Sequence, residues 1–175
     1  SLVRTHTYLI DVDPVLKNLP ALSLATDQDN LTGPTGIVGM SDLSRIASNP
    51  NGGCGPWSGE DDPPTVYYNP SKRGRAWERP VSAEWIDPVD NSGFQADCGI
   101  RVNGSDHSRL RQCINSKFSY RLYFREEYGP ANLEFPLIQG SPLAERDKLV
   151  LRAGLDDRIN PFIRDELTRR VWADM

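Results

Sequence analysis

Three stretches of the chain alternate apolar and polar residues with a period of two. Val81, Ala83 and Trp85 alternate with Ser82 and Glu84. Ala96, Cys98, Ile100 and Val102 alternate with Gln95, Asp97 and Arg101. Tyr120, Leu122 and Phe124 alternate with Arg121, Tyr123 and Arg125. Successive residues of a strand point to opposite faces, so this spacing predicts three strands, each with one buried face. Lys148–Ala153 reads KLVLRA, and its consecutive apolar residues predict a fourth strand covered on both faces. Ala21–Thr26 predicts a short strand after Pro20, and Leu2–Ile10 an extended opening segment. The period then changes. Asn160 is placed as an N-cap and Pro161 as a first helical residue. Ile163, Leu167 and Val171 follow at a spacing of four, and Glu166 faces Arg170 one turn on, which predicts a helix over Pro161–Met175. No C-cap closes that pattern, and the expectation is that the polypeptide continues.

The stretch from Leu31 to Pro70 breaks both periods. It carries GPTG, NPNGGCGPWSGEDDPP and YYNP, a density of Gly, Pro, Asn and Asp that favours turns over ladders. Irregular segments of this length are usually functional loops or insertions, and within this one Ser41–Ser48 suits one helical turn. The elements together predict a single α+β domain over residues 1–175. Its expected form is a mainly antiparallel sheet, with the C-terminal helix packed on one face and a long irregular insertion over residues 31–70.

A chain of 175 residues is long enough for one ordinary core. With 20 Lys and Arg against 24 Asp and Glu it carries a net charge of −4, which argues against nucleic acid as a partner, because phosphate neutralisation needs a basic face. No apolar run approaches the roughly 20 residues needed to span a bilayer. Ser1–Asp13 is short and interrupted by Arg4 and His6, unlike a signal peptide, so a mature or excised piece fits as well as a complete cytosolic protein. Cys54, Cys98 and Cys113 form no CxxC pair, which disfavours zinc. Cys98 falls on an apolar strand face as a small core residue. Cys54 and Cys113 lie in polar, loop-like surroundings and are the pair best suited to a disulfide in an exported protein, whereas three reduced thiols would suit the cytosol.

Seven blocks, in order, resemble one known family. They are RTHTYLI at Arg4–Ile10, LPALSLATDQDNLTGPTGI at Leu19–Ile37, NPSKRGRAWERPVSAEWIDP from Asn69, GFQADCGIRVNG from Gly93, SYRLYFREEYG from Ser119, KLVLRAG from Lys148, and NPFIRDELTRRVWADM from Asn160. The chain is similar to the spore-coat CotH-like proteins, whose full-length members are atypical protein kinases, and corresponds to their amino-terminal lobe. It departs from them in the insertion between Gly36 and Tyr68, which holds Cys54 and Trp57, and in Asn103–Arg109, where the family has a Gly-rich turn. Cys98 and Cys113 are departures as well. In such kinases a strand lysine reaches the nucleotide phosphates and a helix glutamate holds that lysine in place. The resemblance therefore implies Lys117 as the phosphate contact and Glu166 as its partner, with ATP and a divalent metal as cofactors. The plainer reading makes Lys117 a solvated strand-edge lysine and leaves Glu166 paired with Arg170.

The family's catalytic and metal-binding acids lie in a carboxyl-terminal lobe beyond anything matching this sequence. No catalytic residue and no metal ligand is therefore assigned, and the lobe is not expected to be active by itself. Asp156-Asp157 is better read as negative charge leading into a helix N-terminus. The implied partner is the remainder of a larger polypeptide or a second lobe, and the implied location is extracellular or cell-surface.

Other constellations carry less. Ser105, Asp106 and His107 hold the residue types of a hydrolytic triad but are sequence neighbours, and a triad assembles from separate positions. Asp27-Gln28-Asp29-Asn30 starts like a calcium loop but lacks its Gly and distant Glu, so a solvated turn is the expected form. Trp57, Tyr67, Tyr68 and Trp77 flank the insertion. They suit an aromatic platform for sugar rings, as in a non-catalytic module binding polysaccharide or a surface protein, or else a satellite cluster pinning the insertion to the sheet. Arg73 and Arg75, with Lys72 and Arg79, form a basic run suited to a phosphate or carboxylate, or to a solvated strand start. Asn30-Leu31-Thr32 and Asn103-Gly104-Ser105 match glycosylation sequons.

Overall fold

The computed structural model describes residues 5–41, 67–104, 118–137, 145–153 and 171–172. Among these residues there are five strands: β1 (Ala21–Ala25), β2 (Arg79–Ile86), β3 (Gly93–Asn103), β4 (Ser119–Tyr123) and β5 (Lys148–Leu151). They pair in sequence order, every pair antiparallel, so the sheet is a simple meander. The three central strands fall on the three alternating stretches, each with a boundary moved by two residues or fewer at most ends.

Register explains why the alternation matters. Ala83 lies opposite Ala96 and Val81 opposite Cys98, and Ile100 lies opposite Leu122. One face of the sheet is therefore lined by Val81, Ala83, Ala96, Cys98, Ile100, Val102 and Leu122, all buried. Two segments close over this inner face. Ile37 reaches it from the loop after α1 (Gln28–Leu31), and Leu133, Phe135 and Leu137 reach it from the stretch after β4. Phe135 packs on Phe94 of β3, ring centroids 5.2 Å apart. Burial of this apolar surface is the main force holding the sheet to its cover.

The loop over the core is held by a polar pin. Tyr68 and Asn69 are buried, and the Asn69 side-chain amide donates to the carbonyls of Pro34 and Gly36, each at 2.8 Å. A buried amide with its donors satisfied costs little and fixes the loop in place. Asp27–Asn30, expected as a solvated turn, form the N-cap and first three residues of the short helix α1.

β5 differs from its reading. It is the last strand of the sheet, and its residues alternate between exposed and half-buried, with Val150 46% exposed. Consecutive apolar residues there reflect an edge strand with one covered face, not a strand covered on both. Of the predicted terminal helix, Val171 and Trp172 are described; they are helical and exposed. Residues 161–170 and 173–175 lie outside the described residues, so the packing of this helix does too. Most of the insertion (42–66), the Asn103–Arg109 departure from Ser105 on, and the Asp156-Asp157 pair also lie outside them. So do Cys54 and Cys113, while Cys98 is a buried free thiol.

Candidate functional site

The outer face of the sheet carries the polar half of each alternation. Asp97, Gly99 and Arg101 of β3 lie here, with Arg121 and Tyr123 of β4. Just before β2 stands Glu78, whose side chain has no exposed surface. Just after β4 stands Arg125, which donates from Nε to Glu78 Oε1 at 2.9 Å. Arg101 Nε stands 4.0 Å from the other carboxylate oxygen. A carboxylate out of water is tolerated only when paired and hydrogen-bonded, and here two guanidiniums, one from β3 and one from the residues just after β4, supply that pairing.

Tyr123 organises the same two arginines. Arg101 lies over its ring at 4.3 Å from the centroid and Arg125 at 5.0 Å, and Arg101 also donates to the Tyr123 hydroxyl. Cations over a ring face are attracted by its negative quadrupole. Tyr128, in the turn that follows Arg125, completes the cluster. Burial, together with the charges of Glu78 and Glu127, pushes its phenol above the ordinary value.

Gly99 makes this packing geometrically feasible. A Cβ at this position would meet Glu78 Oε1 and Tyr128 Cε2, each at 2.6 Å. Glycine in a strand interior often marks such a close approach.

Arg121 is the exception in this network. It lies directly opposite Arg101, and like charges facing across an antiparallel pair destabilise it. Its Nε is buried and finds no hydrogen-bond acceptor among the described residues. Arg101 and Arg125 share the Glu78 carboxylate, and among the described residues no ion pair joins Arg121 to it.

No family model, curated protein or solved structure matches this chain. The site's meaning therefore rests on its own geometry.

The residues singled out from sequence fare differently. Lys117, Glu166 and Trp57 lie outside the described residues. Phe118, next to Lys117, packs against the core. Tyr68 is buried beside Asn69 and pairs with Met40 in an isolated bridge; Tyr67 is half-buried, its carbonyl accepting from Ser41. Trp77 sits in a 3-10 turn, Arg75–Trp77, with the Arg79 guanidinium 5.4 Å from its ring centroid. Among the described residues the one ring-to-ring contact is Phe94–Phe135, so Tyr67, Tyr68 and Trp77 do not stack on one another.

The basic run is largely committed. Arg75 pairs with Glu127, which raises its pKa further. Arg79 donates to the Thr35 and Ala76 carbonyls. Arg73 and Lys72 are exposed and have partners of their own. Among the described residues no group of three His, Cys, Asp or Glu could hold a metal ion, and no helix is long and apolar enough to cross a membrane.

The cluster of Glu78, Arg101, Arg121 and Arg125 was not singled out from sequence. Its signal was present: Arg101, Arg121 and Arg125 occupy polar positions of two neighbouring alternating strands, and Gly99 interrupts one of them. What the sequence lacks is the register that sets Arg101 against Arg121.

Proposed function

We propose that this chain is the phosphate-holding, nucleotide-binding-type lobe of a larger exported protein of the CotH-like kinase kind, not catalytic by itself. One observation carries the reading: Arg121, facing Arg101 across the sheet, has a buried Nε with no acceptor among the described residues. A phosphate oxygen brought to the Arg121 guanidinium would supply an acceptor, because guanidinium donors match phosphate geometry, and its negative charge would relieve the Arg101–Arg121 repulsion. Glu78 and Tyr123 hold Arg101, and Glu78 holds Arg125, so part of the cost of ordering long side chains is met before a ligand arrives.

On this reading ATP is the ligand. The divalent metal that accompanies it would neutralise phosphate charge, with its protein carboxylates drawn from the remainder of the polypeptide. Lys117 and Glu166 belong to the same proposal through the resemblance, as a further phosphate contact and its positioning partner. The location proposed with it is extracellular or cell-surface.

Titration calorimetry with magnesium-ATP and with pyrophosphate tests the reading. Saturable binding is expected, weakened at least about tenfold in Arg121→Ala, since a charge-assisted hydrogen bond contributes roughly 1.5–3 kcal/mol. Failure of both ligands to bind the wild-type chain would sink it, as would binding that Arg121→Ala leaves unchanged.

A further inference from the structure

Beside the arginine cluster, on the outer face of β1–β3, lies an open cleft of about 490 Å³. Ser82 and Asp97, direct cross-strand partners, line its floor. Asp27, at the end of β1, and Thr5, from the opening segment, form one side. Glu127 and Tyr128, from the turn after β4, form the other. That turn is closed by the Tyr128 and Gly129 amides donating to the Arg125 carbonyl, which sets the Tyr128 side chain as a wall.

The chemistry of this lining is distinct from that of the cluster. Among the described residues, no lysine or arginine lines the cleft. Glu127 is neutralised by Arg75 from outside it. Among the described residues, the carboxylates of Asp27 and Asp97 and the hydroxyl of Ser82 have no hydrogen-bond or ion-pair partner apart from Asp27's role as a backbone acceptor. These acceptors come from different elements, Ser82 and Asp97 from the paired strands β2 and β3 and Asp27 from the residue before α1, and among the described residues no group of three His, Cys, Asp or Glu could hold a metal ion. An occupant that meets them offers donors to more than one element of the cleft, and an apolar face to Tyr128.

We propose that this cleft binds a saccharide. A sugar ring has hydroxyls around its rim to donate to Asp27, Asp97 and Ser82, and a C–H face to lie against the Tyr128 ring. The volume falls within the roughly 300–1,000 Å³ typical of small-molecule sites. A basic side chain would place its donors at a single point and leave the rest of the acceptors unmet. The inference goes beyond the phosphate reading and does not depend on it, because the two sites share no ligand-contacting residue.

The test is amide NMR titration of the chain with soluble oligosaccharides of the cellulose, chitin and starch types, and with a lysine-rich peptide. Saturable shifts at Ser82, Asp97 and Tyr128 with at least one saccharide are expected. Asp97→Ala should weaken that binding about tenfold or more. Asp97 is exposed on the sheet surface, so the variant should fold; Ser82→Ala provides a second, smaller loss. Arg121→Ala should leave saccharide binding as it is, whatever it does to ATP. The proposal is overturned if no saccharide in the panel produces saturable shifts. It also fails if the shifts survive Asp97→Ala, or if the peptide alone occupies the cleft.

Discussion

At the scale of single residues, Gly99 and Cys98 are neighbours on β3 with opposite roles. Gly99 faces outward and leaves room for the Glu78 carboxylate and the Tyr128 ring. Gly99→Ala would push Glu78 away from Arg125, and breaking a buried ion pair costs roughly 3–5 kcal/mol. A loss of at least about 2 kcal/mol in urea unfolding is expected, accompanied by weaker magnesium-ATP binding. Unchanged stability would show that Glu78 relaxes freely.

Cys98 faces inward and is fully buried. Burial, with the Asp97 and Glu78 charges adding to it, pushes its thiol from 9.0 up to about 12. A thiol whose folded pKa is raised stabilises the fold fully below the unfolded value, and the contribution is lost as pH rises through the folded one. Stability should therefore fall from about pH 9 towards pH 12, and fall less steeply in Cys98→Ala. Denaturant midpoints measured across that range check the sign. A wild-type curve no steeper than the variant's would remove Cys98 from the account.

At the scale of elements, the meander makes strand position decide what a residue is worth. Leu122 of β4 lies between β3 and β5 and is fully buried. Val150 of β5 sits on the sheet's edge strand and is 46% exposed. Leu122→Ala should cost about 2–5 kcal/mol, as large-to-small core changes do, whereas Val150→Ala should stay within about 1 kcal/mol. Equal costs in thermal or chemical unfolding would mean that β5 is more deeply covered than its register indicates. Alternation located the three central strands because a half-buried strand must alternate, while β1 was read from the short stretch after Pro20 and β5 from its consecutive apolar residues. That last reading misjudged β5, since consecutive apolar residues look the same on an edge strand as in a sheet centre.

At the scale of the whole molecule, charge is distributed against its sum. The chain is net negative, at −4, yet on its outer sheet face two arginines close on the buried Glu78 and a third, Arg121, faces one of them across the strands. Field effects of this kind are local: at physiological salt, charges more than about 8 Å apart through solvent are largely screened. Magnesium-ATP affinity should accordingly weaken as salt is raised from about 0.05 to 0.5 M, while saccharide binding in the neighbouring cleft should barely change. Calorimetry at three salt concentrations separates the two sites, and identical salt responses would count against their being chemically distinct.

The sequence by itself determined the strands, their inner faces and the burial of Cys98, because those follow from local periodicity and from the need to remove apolar surface from water. It also placed Arg101, Arg121 and Arg125 at polar positions, without saying what they meet. Only the tertiary structure decided that Arg101 faces Arg121, that Glu78 is buried between Arg125 and Arg101, and that Arg75 and Arg79 are already spent on local partners. Those facts depend on strand register and on loops folding back over the sheet. Register joins residues tens of positions apart, and no local pattern encodes which charge will find a partner and which will be left without one.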